Sequence, residues 1–346
     1  MMRWVAIVVV GMVGLFACGC AGCVARSAHE ERFEFVRVCM GVRTVVTVYG
    51  PDRETALGDA AAAFARIGEI EDVLSDYRPG SEAMRLCAGT TGGVGVPVKV
   101  SDDLFAMLAV CERISRATGG AFDVTIGPAV RLWREARRTG VLPSAAEIEQ
   151  TRESIGWESV RLDSRAQTVT LQRHGMLLDF GGIGKGHAAE CAVQVLRARG
   201  RGRCLVALAG DIAAGDPPPG ERGWKIELAG MKGELRLANG AVSTAGDAEQ
   251  FGEIEGVRYS HIIEPRTLVG MTARRMVTVV SFGEGCGARA DGLDTPLCVL
   301  GAERGRDVVG KFVRTAALVR EEEMGAVRVI DPSGVLRGVW NVDERR

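Results

Sequence analysis

Residues 178–186 read Leu-Asp-Phe-Gly-Gly-Ile-Gly-Lys-Gly, and few backbones accommodate such a run. Glycines this dense weaken both a strand and a helix interior. Yet a β-rich stretch precedes them and an Ala-rich stretch follows to Arg199. The reading is strand, tight loop, helix, with backbone N–H groups and the helix dipole placed to hold phosphate. It is not a Walker A loop, since no Ser or Thr follows Lys185. Nor is it the dinucleotide fingerprint of a doubly wound fold, because only the alternate Gly182, Gly184 and Gly186 recur. A tight turn whose glycines serve packing explains the segment equally well.

The rest of the chain alternates in character. Residues 33–49 read as strand, with β-branched Val45-Val46-Thr47-Val48. Residues 54–74 carry apolar side chains at helical spacing, among them Leu57, Phe64, Ile67 and Ile70. Ser101 is placed as the N-cap of a helix running to about Ala117 and stopped by Gly119-Gly120. Residues 161–179 hold two strands of a hairpin, residues 204–282 are mostly strand, and a last α/β stretch ends at 335–340. No internal repeat or linker divides this, and Pro217-Pro218-Pro219-Gly220 is a stiff turn. The expected fold is a single α+β catalytic domain over residues 33–342.

The N-terminus is different. Met1-Met2-Arg3 precedes an almost wholly apolar run from Trp4 to Phe16, too short to span a membrane but suited to a secretory signal. Leu15-Phe16-Ala17-Cys18 resembles a bacterial lipobox, with Cys20 and Cys23 close behind. Residues 1–23 are read as signal and lipobox with lipidation at Cys18, and residues 24–32 as a polar tether. The alternatives are a plain cleaved signal and a Cys-x-Cys-x-x-Cys metal site, which finds no fourth ligand nearby. The seven later cysteines are scattered and lie in apolar runs, as buried small hydrophobes do. A net charge of −1 and an aromatic content of 5% argue against a nucleic-acid partner.

Three segments could carry chemistry besides the glycine loop. In Ala290-Asp291-Gly292-Leu293-Asp294-Thr295, a helix start brings Asp291, Asp294 and Thr295 onto one face. Two carboxylates and a hydroxyl are hard oxygen ligands of the kind Mg²⁺ prefers, although helix capping also places such residues in a first turn. Gly119-Gly120-Ala121-Phe122-Asp123 offers a flat apolar face and an acceptor, or simply a turn. His261 lies in Tyr259-Ser260-His261-Ile262-Ile263-Glu264-Pro265-Arg266-Thr267, as a core histidine or as a base.

Taken in order, these pieces resemble the FAD:protein FMN transferase family of the ApbE type. The matching pieces begin with Met40-Gly41, Leu74-Ser75-Asp76-Tyr77 with Ser81-Glu82, and residues 119–128 with Leu132-Trp133. They continue through residues 178–187, Ala209-Gly210-Asp211-Ile212, Ser243-Thr244-Ala245-Gly246-Asp247, and residues 260–267 and 290–301. The departures are Ala209 and Leu268 where the family usually has Gly, Glu264 for a usual Asp, and no Tyr-Glu-Arg after Asp247.

The resemblance implies an α+β domain with T-fold-like features, mixed and antiparallel sheets and packed helices. It implies FAD as substrate, contacted by Met40, Tyr77, Ala121, Phe122, Asp123, Asp179, Lys185 and Ile263. It also implies Mg²⁺ on Asp291, Asp294, Thr295 and the Gly182 carbonyl. Asp291 and His261 are the expected catalytic residues, His261 as general base within reach of the acceptor hydroxyl. The expected reaction places FMN on a Thr or Ser of an acceptor flavoprotein and releases AMP. That acceptor would be a subunit of a membrane redox complex or an exported reductase. FAD hydrolysis to FMN and AMP, or flavin binding without catalysis, are the competing expectations. The expected location is outside the cytoplasmic membrane, anchored through Cys18.

Overall fold

The computed structural model describes residues 30–89, 94–228, 231, 233–246, 251–322 and 325–341. Cys18, Cys20, Cys23, the apolar run before them and Asp247 lie outside the described residues.

Strands β1 (Glu31–Cys39) and β2 (Val42–Gly50) form an antiparallel hairpin. The single strand expected over residues 33–49 is therefore two. The chain turns at Met40-Gly41, both in left-handed backbone with φ of 49° and 73°. Strand β1 also begins inside the stretch read as tether. Helix α1 (Arg53–Leu74) is capped by the Asp52 carboxylate and buries Ala56, Ala60, Phe64, Ile67 and Ile70, whereas Leu57, expected on the same apolar stripe, is exposed. After α2 (Glu82–Ala88) and β3 (Val98–Lys99), helix α3 (Asp102–Thr118) starts at the Ser101 cap. It stops at left-handed Gly119. Helices α4 (Gly127–Thr139) and α5 (Ala145–Arg152) precede the hairpin of β4 (Val160–Asp163) and β5 (Thr168–Leu171). That hairpin ends well short of Asp179.

Helix α6 (Gly184–Ala198) follows the glycine loop. Next come β6 (Cys204–Leu208), β7 (Asp211–Ala214), β8 (Trp224–Glu227), β9 (Glu234–Leu237) and β10 (Gly240–Gly246). A small flap holds β11 (Phe251–Ile254), β12 (Val257–Ser260), β13 (Ile263–Glu264) and β14 (Val269–Gly270). The chain closes with β15 (Met276–Phe282), α7 (Cys286–Val309), β16 (Thr315–Arg320), β17 (Val327–Ile330) and β18 (Trp340–Asn341).

Among the described residues the main sheet runs β1-β2-β6-β7-β10-β15-β16-β17, antiparallel throughout. Side chains alternate across each strand, and the sheet is covered on both faces. Val46, Val206, Ala241, Val277 and Val279 enter the core shared with α1, α6 and α7. Val242, Val280 and Leu318 point the other way, onto Trp224, Leu235 and Leu237 of the small sheet β18-β9-β8. A third cluster joins α4 to the flap through Trp133, Ile254, Ile263 and Leu268. The result is one α+β domain.

Candidate active site

Strand parity decides what the main sheet offers to its helices. Ala213 of β7 and Ala241 of β10 face the helix side, so Asp211 and Ser243, two residues away on the same strands, face it too. There they meet α7. One carboxylate oxygen from each of Asp211, Asp291 and Asp294 lies within 4.8 Å of the others, and all three residues are buried. Ser243 Oγ is 2.6 Å from Asp294 Oδ2 and also bonds Asp211 Oδ1. A hydroxyl has one proton, so it donates to only one of these two acids. Asp291 Oδ2 accepts the Gly186 N–H at 2.8 Å.

Lys185 enters the cluster from the glycine loop. Its Nζ is 3.0 Å from Asp211 Oδ2 and 3.9 Å from Asp291 Oδ1, and it donates to the Gly181 carbonyl at 3.1 Å. Burial disfavours its charge, but Asp291 and Asp211 outweigh burial and hold the lysine above its ordinary pKa. Burial, then the charge of Asp211, raises Asp291; burial, then the charge of Asp291, raises Asp294. One ammonium among three carboxylates leaves the cluster short of positive charge.

Helix α7 begins at Cys286, so Asp291, Asp294 and Thr295 lie beyond its first turn, contrary to the helix start expected there. They do not cap it. That task falls to Glu190 of α6, whose carboxylate accepts the N–H groups of Gly285 and Gly287 at 2.8 and 2.7 Å. Thr295 Oγ1 is 3.1 Å from Asp294 Oδ1 and would stand 3.4 Å from a Cβ on Gly182, so the glycine loop flanks the cluster.

The loop itself is shaped by Asp179. Its N–H donates to the Val124 carbonyl, and its Oδ1 accepts the Gly181 N–H, both at 2.8 Å. Burial, then the nearby charge of Asp76, raises this acid. Met40 reaches the same place from the β1–β2 turn, its Cε 3.5 Å from where a Cβ on Gly184 would be. Tyr77, in contrast, presents its ring to solvent.

Two expectations about residues 121–123 need correction. Ala121 and Phe122 are buried in the main core, so Phe122 offers no open flat face. Asp123 is occupied: Oδ1 accepts from the Thr125 N–H and hydroxyl, and Oδ2 from the Trp157 N–H. A short polar side chain after two glycines bonds its own turn readily.

His261 and Ile263 belong to the flap. His261 sits half-buried at the bend between β12 and β13, and Ile263 packs in the third cluster. Trp133 of α4 pins this segment, its Nε1 donating to the Leu268 carbonyl at 2.8 Å and its ring 5.0 Å from that of Tyr259. Ala209 and Leu268, the two residues expected to depart from a usual Gly, both adopt left-handed backbone, with φ of 52° and 58°.

The structure thus gathers Lys185, Asp291, Asp294, Thr295 and the Gly182 loop, with Met40 and Asp179 adjoining, and sets His261 and Ile263 on a separate flap. Sequence reasoning gave no chemical role to Asp211 or Ser243. The one available signal was polarity, an acid opening an apolar strand and a lone hydroxyl after Ala241-Val242.

Residues 40–319 match the ApbE family model, which spans both the carboxylate cluster and the glycine loop. The chain belongs to the ApbE family. An FAD:protein FMN transferase of Vibrio cholerae is 30% identical over 249 residues, covering 69% of this chain and 72% of that relative. One of Treponema pallidum is 30% identical over 331 residues, covering 89% and 90%. The structure superposes on the flavin transferase ApbE from Vibrio cholerae with a TM-score of 0.75 at 26% identity, covering 87% of this chain and 96% of that one. For the Pseudomonas stutzeri flavinyl transferase ApbE, apo form, the values are 0.74, 25%, 90% and 97%. The mixed helix and antiparallel-sheet architecture is therefore that of the ApbE flavin transferases.

Proposed function

We propose that this chain transfers the FMN half of FAD, with the help of Mg²⁺, onto a Ser or Thr hydroxyl of an acceptor protein and releases AMP. The observation that carries this is the meeting of Asp211, Asp291 and Asp294 around Lys185, beside the glycine loop, in an ApbE-family chain. The donor set supports Mg²⁺, for it is all hard oxygen and carries more negative charge than one lysine offsets. Asp291, Asp294, Thr295 and the Gly182 carbonyl would hold the ion, which supplies positive charge at the pyrophosphate oxygens.

The protein's own groups do the rest. The N–H groups at the start of α6 are already bonded, those of Ile183 and Gly184 to the Phe180 carbonyl and that of Gly186 to Asp291, so Lys185 is the group that offsets charge on the phosphates or on the leaving AMP. His261 removes the acceptor hydroxyl proton as that oxygen bonds to the FMN phosphorus and the bond to AMP breaks. FAD lies against Met40, Tyr77, Asp179, Lys185 and Ile263, and against the turn at Ala121, Phe122 and Asp123. Export and a lipid anchor at Cys18 fit an acceptor at a membrane surface, a redox-complex subunit or an exported reductase. Mass spectrometry of the membrane fraction is expected to find diacylglyceryl-modified Cys18 at the mature N-terminus. An unmodified, later N-terminus rules the anchor out.

The deciding assay incubates the protein with FAD, Mg²⁺ and a candidate acceptor and reads in-gel flavin fluorescence with released AMP. A fluorescent acceptor band with matching AMP is expected. Free FMN and AMP without a labelled acceptor would make the chain a pyrophosphatase instead.

A further inference from the structure

Tyr77 is 74% exposed, yet its ring is not loose. The guanidinium of Arg134, reaching across from α4, lies 4.3 Å from the ring centroid and covers one side of it. The same guanidinium donates to Asp76 Oδ2 at 2.8 Å and stands 3.8 Å from Asp179 Oδ2. The turn that carries Tyr77 is fixed from within as well. Ser75 Oγ accepts the N–H groups of Tyr77 and Arg78, and Ser81 Oγ donates to the Ser75 carbonyl at 2.6 Å.

We propose that Arg134 is a positioning residue for FAD, holding the Tyr77 ring as a fixed stacking plate and tying it to Asp179 at the glycine loop. This rests on the reading that the chain binds FAD. Asp76 and Asp179 belong to different segments, and like charges would push those segments apart. A guanidinium is the one side chain that can bridge two carboxylates with its fork while its flat face lies on an aromatic ring. Lysine, a compact charge on a flexible stem, can pair with one acid but cannot do all three. An exposed tyrosine already held in place loses less freedom when a planar ring stacks on its open side.

The test titrates FAD, followed by flavin fluorescence without metal ion, into wild type, Arg134→Met, Arg134→Lys, Tyr77→Leu and the double variant Tyr77→Leu/Arg134→Met. Arg134→Met is expected to weaken FAD binding about tenfold and Arg134→Lys about threefold. The KM for FAD should rise in parallel, while kcat at saturating FAD stays within about twofold. In the Tyr77→Leu background the arginine change should cost at most about threefold, because the plate it holds is gone. Unchanged FAD affinity, an equal loss in both backgrounds, or a fall in kcat at constant KM would overturn the proposal. If Arg134→Met does not fold, the same cycle with Arg134→Lys decides. Wild type that binds no FAD would instead sink the transferase reading.

Discussion

Gly186 and Asp291 join the two helices of the candidate site: the Gly186 N–H donates to Asp291 Oδ2 at 2.8 Å, where α6 and α7 touch backbone to backbone. A Cβ on Gly186 would overlap the Gly287 carbonyl oxygen and come within 2.7 Å of Asp291 Cβ. The glycine is required by close approach rather than by its φ.

Gly186→Ala is therefore expected to force the helices apart, at a cost of about 1–3 kcal/mol in unfolding free energy. It should also raise the Mg²⁺ concentration needed for half-maximal transfer, because Asp291 moves with α7. Chemical denaturation and a Mg²⁺ titration check both, and a variant with wild-type stability contradicts the contact.

Asp291→Asn should separate stability from activity. The amide oxygen can still accept the Gly186 N–H, while one buried charge leaves a cluster in which burial and Asp211 already disfavour it. The melting temperature without divalent ions is expected to hold or rise, and transfer to fall by about a thousandfold or more. Transfer at the wild-type rate would remove Asp291 from the metal site.

His261→Ala distinguishes transfer from hydrolysis. A protein hydroxyl must lose its proton as it attacks, so transfer is expected to fall by about two to four orders of magnitude. Mg²⁺-dependent FAD hydrolysis should survive better, since a metal-bound water is already acidified. Both rates measured on one variant decide the matter; unchanged transfer takes His261 out of the mechanism.

Ala209 and Leu268 should respond oppositely to the same replacement. Each has left-handed backbone, so glycine relieves about 1 kcal/mol of strain at either site. Ala209 is exposed, and Ala209→Gly should stabilise the protein by about that amount. Leu268 is fully buried against Trp133, and Leu268→Gly should lose about 2–4 kcal/mol net, freeing the flap that carries His261. Thermal melting of the two variants tests the pair, and shifts of the same sign refute it.

The sequence by itself determined what neighbouring residues can specify. The Ser101 cap and Gly119 stop of α3, the apolar stripe of α1 and the strand-free glycine loop are local, set by side chains a few residues apart. Family membership was legible for a similar reason, as short motifs kept in order. Local pattern misled where a two-residue turn split one apolar run into β1 and β2, and where the acids of α7 looked like a helix start. Only the tertiary structure decided the site's membership. Asp211 and Ser243 are 32 residues apart, Ser243 and Asp294 51, and Gly186 and Asp291 105. Sheet order and strand parity bring them together. No window along the chain holds them at once, because the buried cluster exists only where the sheet and two helices pack.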